Sequence, residues 1–213
     1  MSTKSWSIQP KEVFDVAPVI PVIVIKDAAK AIPLAQALVA GGVPIMEITL
    51  RSSQALEAVT LVRQQLPEIL VGVGTVLNVE QLQASVDAGA QFAVSPGASV
   101  SLLEAAQKAV IPLIPGVATM SEVQTALELG YDHLKFFPAE ALGGVKTLKA
   151  FSGPVPSVRF CATGGISPAN YEAYLALPQV PCVGGSWLVP SSLIESEDWS
   201  AITALCLQVQ AQS

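Results

Sequence analysis

Two residues of opposite charge stand in apolar runs, where ionised side chains are rarely buried. Lys135 lies within His133-Leu134-Lys135-Phe136-Phe137-Pro138, a short strand pattern ended by proline. Glu47 lies within Ile45-Met46-Glu47-Ile48-Thr49-Leu50-Arg51. Burying an unpaired ammonium costs several kcal/mol, so a buried lysine pairs or gives up its proton. An unprotonated lysine is a nucleophile that attacks carbonyl carbon to form a Schiff base. A carboxylate within reach could move the protons that such chemistry needs. Two blander readings stand beside this one. The ammonium can snorkel to solvent, or the two residues can form a structural ion pair, which brings little net stability over apolar packing.

The elements that must position these residues alternate along the chain. Strand patterns fall at Val19–Ile25, Ile45–Thr49, Leu70–Gly74, Phe92–Ser95, Ile111–Ile114, His133–Phe137, Arg159–Ala162 and Cys182–Gly185. Amphipathic helices fit between them near Ala28–Ala40, Ser53–Gln65, Val79–Asp87, Val100–Lys108, Met120–Leu129, Gly144–Phe151 and Pro168–Leu175, with a last one near Trp199–Ala211. Eight strands alternating with helices predict an α/β fold, a (β/α)₈ TIM barrel with an N-terminal helical segment, built as one domain over residues 1–213. The strands are mostly continuous apolar runs, as expected when both sheet faces are covered. An open doubly wound sheet would need edge strands, and none is marked as one. Gly41-Gly42, Gly89 and Gly130 sit where helices should end in left-handed caps.

In such a barrel, functional side chains gather at the C-terminal strand ends, and inward residues alternate with outward ones. Parity places Glu47, Thr49 and Arg51 on one face of the second strand, with Met46, Ile48 and Leu50 toward the helices. It places His133, Lys135 and Phe137 inward on the sixth strand. His133, early on its strand, suits a core or pairing role. Thr75 closes the third strand and Ser95-Pro96-Gly97 the fourth. Pro96 and Phe137 are the candidates for walls of a substrate pocket. Thr163-Gly164-Gly165 closes the seventh strand and Gly184-Gly185-Ser186 the eighth, where barrel enzymes often bind phosphate through backbone N–H groups.

Composition narrows the partners. Eleven Lys and Arg against 17 Asp and Glu give a net charge of −6 without a basic run, a poor match to nucleic acid or an anionic membrane. Any phosphate must therefore be held locally, by amide dipoles. No His, Cys, Asp or Glu cluster has metal-ligand spacing, and Gly72-Val73-Gly74 lacks the third glycine of a dinucleotide fingerprint, so neither metal nor cofactor is expected. Cys161, Cys182 and Cys206 read as buried thiols in a reducing compartment. Met1–Pro10 lacks the apolar core of a signal peptide, and the apolar run Val16–Ile25 is too short to span a bilayer, so a cytoplasmic location is expected. With 51% hydrophobic and 13% charged residues, some apolar surface should be covered by other subunits.

The stretches GGVPIMEITLR, VGVGTVLN, SPG, IPLIPG, KFFPAE, ATGGISPANY and GGSWLVP, in order from about Pro18 to Pro190, resemble the 2-keto-3-deoxy-6-phosphogluconate (KDPG) aldolases, class I pyruvate aldolases of the Entner–Doudoroff pathway. The resemblance implies that Lys135 forms the Schiff base and that Glu47 is the general acid and base. It implies that Arg51 and Thr75 bind the substrate carboxylate, and that Thr163, Gly164, Gly165, Gly185 and Ser186 bind its phosphate. It further implies a homotrimer of barrels acting on a small phosphorylated keto acid. Two positions depart from the family pattern: Ala162 stands where proline is common, and Leu142 where asparagine is common. Both flank the site and bear on substrate preference.

Overall fold

The computed structural model describes residues 6–211, so the start of the polar stretch Met1–Pro10 lies outside it. A short helix, α1 (Pro10–Phe14), leads into nine parallel strand pieces: β1 (Val19–Ile23), β2 (Ile45–Thr49), β3 (Leu70–Gly74), β4 (Phe92–Val94), β5 (Leu113–Ile114), β6 (Gly116–Val117), β7 (His133–Phe136), β8 (Arg159–Thr163) and β9 (Cys182–Gly185). Their order in the sheet is β5-β4-β3-β2-β1-β9-β8-β7-β6. β5 pairs with β4 and β6 pairs with β7, yet only Pro115 separates β5 from β6. The two sheet edges therefore belong to one strand, and the sheet closes into a barrel.

That fifth barrel strand is the main departure from the predicted elements. Instead of Ile111–Ile114 it runs as two pieces around Pro115, because proline has no N–H to give to a ladder. The Pro115 carbonyl still accepts from the Lys135 N–H at 2.9 Å, which keeps the register across the break. β1 stops at Ile23, two residues earlier than the apolar run suggests.

The helices are α2 (Ala31–Ala40), α3 (Ala55–Gln65), α4 (Val79–Asp87), α5 (Val100–Ala106), α6 (Met120–Glu128), α7 (Gly144–Ser152), α8 (Tyr171–Leu175), α9 (Ser191–Glu195) and α10 (Trp199–Gln210). Single 3₁₀ turns precede α2 and α7. Among the described residues, no helix is long and apolar enough to cross a membrane. Loop side chains set where several helices begin. Asn78, Ser99, Thr119 and Asp198 each accept a backbone N–H from the first turn of α4, α5, α6 and α10, and Glu122 completes a capping box with Thr119. Gly42, Gly89 and Gly130 have positive φ at helix exits, as read from the sequence. The five-residue helix α9 has no counterpart among the helices expected from the sequence.

α1 covers the N-terminal end of the barrel. Val13 and Phe14 are buried, and the Phe14 ring meets His133 edge-on at 5.2 Å between centroids. His133 also pairs with Asp132 at 2.7 Å, which fits the pairing role expected of it.

Small inward residues let large ones fill the interior. A Cβ on Gly72 would come within 2.4 Å of the Phe92 ring, and one on Gly116 within 2.2 Å of the Pro96 carbonyl oxygen. A ring can rotate, but the Pro96 backbone cannot yield without moving its strand end. Gly116→Ala is therefore expected to cost about 1–3 kcal/mol of stability, the range for overpacking. Gly153→Ala, with nothing within 4 Å of the new Cβ, serves as the control and should leave the urea midpoint in place. An unchanged midpoint for Gly116→Ala would show that the fifth strand shifts freely, contrary to this packing.

Candidate active site

The period-2 alternation of β2 and β7 brings Glu47 and Lys135 together across the barrel interior. Their residues are 4% and 6% exposed, and Lys135 Nζ donates to Glu47 Oε1 at 3.3 Å. Space for the carboxylate comes from the adjacent strand, since a Cβ on Gly74 would lie 2.1 Å from Glu47 Oε1. The Phe137 ring lies 5.4 Å from the Lys135 nitrogen and so walls the amine on another side. A carboxylate touching an amine in a closed apolar setting can take up and return the protons of carbonyl addition and dehydration.

At the top of β2, Thr49 donates to the Ile23 carbonyl at 2.8 Å and accepts from Arg51 Nε at 3.2 Å. This holds the start of the Arg51 side chain in place, while Arg51 itself is exposed at the barrel mouth. Arg51 and Ser186 line one cavity of about 470 Å³, together with Val22, Trp187 and Pro190. Among the described residues, no hydrogen bond joins Arg51 or Thr75 to the Lys135–Glu47 pair.

Thr75 has φ of 63°. A β-branched residue in the left-handed region is strained, by roughly 1–3 kcal/mol, and such residues cluster at ligand sites. Pro96 is half-buried after β4, with its carbonyl against Gly116.

The turn after β8 has its carbonyls occupied. Thr163 O accepts from the Ala139 N–H at 2.8 Å and Gly164 O from the Glu140 N–H at 3.1 Å. Gly165 O accepts from the Asn170 side-chain amide at 3.1 Å. In a trans peptide the next residue's N–H points opposite to the carbonyl, so the N–H groups of Gly164, Gly165 and Ile166 face away from these partners. Among the described residues they meet no protein acceptor. Gly164 and Gly165 have φ of 100° and 78°, a conformation that glycine adopts without strain and that turns successive N–H groups into an anion-binding concavity.

Thr163 is buried beside β9, where Gly184 has no Cβ and leaves room for its side chain. Gly185 is likewise needed for packing, because a Cβ there would fall 1.7 Å from the Trp187 ring. Ser186 is exposed beside it.

Sequence reasoning missed several supporting residues. Cys161 is in register with Lys135 on the neighbouring strand and lies 3.8 Å from the Thr163 hydroxyl. Strand register could have exposed it. The three cysteines are free and buried, as expected. Burial pushes the Cys182 thiol well up, with Cys161 adding to the effect, and burial alone pushes Cys206 up to about 11. Cys182 and Cys206 therefore stay protonated and unreactive. Asn170, Glu140 and Tyr174 also support the turn after β8; the first two lie in the stretches ATGGISPANY and KFFPAE, while Tyr174 carries no local signal.

Known proteins resemble this sequence and share this barrel. Residues 11–205 match the family model described as "Aldolase: KDPG and KHG aldolase". The chain is 50% identical over 209 residues to the 2-dehydro-3-deoxy-phosphogluconate aldolase of Pseudoalteromonas atlantica, covering 98% of this chain and 97% of that one. It is 52% identical over 202 residues to the KHG/KDPG aldolase of Escherichia coli, covering 95% of each. A solved structure of KDPG aldolase from Legionella pneumophila, with pyruvate captured at low pH as a covalent carbinolamine intermediate, superposes with a TM-score of 0.95 at 54% identity, covering 96% of this chain and 99% of that one. With its barrel, its buried amine and carboxylate, and these relatives along nearly its whole length, this chain belongs to the KDPG and KHG aldolase family.

Proposed function

We propose that this protein catalyses reversible retro-aldol cleavage of 2-keto-3-deoxy-6-phosphogluconate to pyruvate and glyceraldehyde 3-phosphate, through a Schiff base on Lys135. The observation that carries the reading is the buried Lys135–Glu47 contact of 3.3 Å, in a chain about half identical to KDPG aldolases along nearly all its length. In this reading Glu47 takes a proton from Lys135, and the free amine attacks the substrate ketone. Loss of water from the carbinolamine, assisted by Glu47, leaves a protonated imine. Glu47 then accepts the proton of the hydroxyl on the carbon that departs as aldehyde. The electron pair of the broken carbon–carbon bond passes to the imine nitrogen, leaving an enamine. Protonation of the enamine carbon and addition of water release pyruvate and restore Lys135.

Arg51 supplies a forked cation for the substrate carboxylate, assisted by Thr75. Pro96 and Phe137 wall the pocket. Thr163, Gly164, Gly165, Gly185 and Ser186 take the phosphate, and the unpartnered N–H groups after β8 support that assignment. Cleavage of 4-hydroxy-2-oxoglutarate is the second reading, favoured by the double naming of the Escherichia coli relative. It needs the same imine chemistry without the phosphate.

Assembly belongs to the same proposal: the functional unit is a homotrimer. Mean hydropathy of +0.54 and the exposed Leu77, Val79 and Val100, at the starts of neighbouring helices α4 and α5, support an apolar contact face.

Two outcomes follow. Glu47→Gln keeps shape but loses proton transfer, so KDPG cleavage followed by pyruvate release should fall roughly 10²–10⁴-fold in kcat with the fold intact by circular dichroism. A kcat within about threefold of wild type, well below that range, would make Glu47 structural. Light scattering at micromolar concentration should give about three times 22.1 kDa, and a clean monomer would overturn the trimer.

A further inference from the structure

The turn after β8 rests on a residue that none of the chemistry above uses. Glu140 follows β7 in the 3₁₀ turn Glu140–Leu142, and its N–H holds the Gly164 carbonyl at 3.1 Å. Its side chain runs beneath the same turn, since a Cβ on Gly165 would lie 2.7 Å from both Glu140 Cβ and Cγ. Backbone and side chain of one residue thus support both glycines. The carboxylate head is tied elsewhere, accepting a hydrogen bond from the Tyr174 hydroxyl on α8.

Gly144 makes room for that tie. A Cβ there would lie 2.5 Å from the Tyr174 hydroxyl and 2.8 Å from Glu140 Oε1. Tyr174 is fully buried. Burial first, then the Glu140 carboxylate, push its hydroxyl pKa upward, so it remains a donor. The tie spans the turn: Glu140 belongs to the β7 side, and Tyr174 to the helix that follows the 164–170 loop.

The charge of Glu140 gives the tie a consequence beyond support. A free carboxylate under an anion-binding turn would repel a phosphate, and it could accept the very N–H groups the phosphate needs. Tyr174 instead holds that carboxylate against α8, beside Gly144. We propose that Glu140, fixed by Tyr174, is the positioning residue of the phosphate-binding turn and sets the preference for phosphorylated over unphosphorylated substrate. The proposal rests on the reading of Thr163–Gly165 as the phosphate site.

The experiment compares KDPG cleavage with deuterium uptake into the methyl group of pyruvate, which requires the imine but no phosphate. In Tyr174→Phe and Glu140→Ala, KM for KDPG should rise about tenfold, the loss of one charge-assisted hydrogen bond, with kcat held within about threefold. Pyruvate exchange should proceed at the wild-type rate. Glu140→Gln keeps the stem and an acceptor for Tyr174, and should restore most of the KM. Equal losses on both readouts in Tyr174→Phe would mark a general structural tie and overturn the proposal. Gly165→Val tests the underlying site. A selective KDPG defect there, with Tyr174→Phe unchanged on both readouts, overturns the role of Glu140 and Tyr174 alone. Equal losses on both readouts in Gly165→Val overturn the phosphate site itself.

Discussion

An amine and a carboxylate, both removed from water inside a closed sheet, constrain everything else in this molecule. Desolvating two charges is repaid only when they meet in good geometry, and a pair of apolar residues of similar volume would serve stability as well or better. Lys135 and Glu47 meet at 3.3 Å, on strands that are not neighbours in the sheet. The contact needs interior space, and the strand between β2 and β4 provides it by carrying glycine at its last two inward positions. Gly74 yields to the Glu47 carboxylate and Gly72 to the Phe92 ring. A barrel filled with branched side chains in every layer would be the more stable choice. Gly74 shows that the interior makes room for the pair.

The barrel mouth follows a different logic, in which the backbone does much of the work. An acidic protein cannot attract an anion through its overall field. The turn after β8 presents N–H groups whose own carbonyls are held by Ala139, Glu140 and Asn170. Because these partners come from two loops, the dipoles are fixed before any ligand arrives, which lowers the ordering cost of binding. Thr75 makes the same point in another form, since its left-handed conformation persists only where the surroundings over-determine it.

How much of this was legible in the sequence depends on the range of each interaction. The faces of β2 and β7 could be read directly, because a strand's alternation is fixed at two residues and both strands are uninterrupted. That was enough to put Glu47 and Lys135 on the inside. The ends of β2, β3 and β9, and the left-handed caps at Gly42, Gly89 and Gly130, were legible for the same local reason. The division of the fifth strand was signalled by Pro112 and Pro115, but the apolar run around them outweighed the missing N–H groups. α9, at five residues, is too short to show a helical period. The Glu140–Tyr174 tie could not be seen at all, because 34 residues separate the partners and neither is unusual in its own segment. Thr75 carries no mark of its positive φ, since threonine ordinarily favours extended backbone.

In the proposed chemistry the buried lysine, and no other, makes a covalent bond to the substrate ketone. Sodium borohydride added with pyruvate reduces an imine irreversibly, and peptide mass mapping then locates it. One reduced pyruvyl group is expected, carried by the peptide containing Lys135 and absent in Lys135→Met. Modification at a different lysine, or an unmodified protein after turnover in the presence of borohydride, would contradict it.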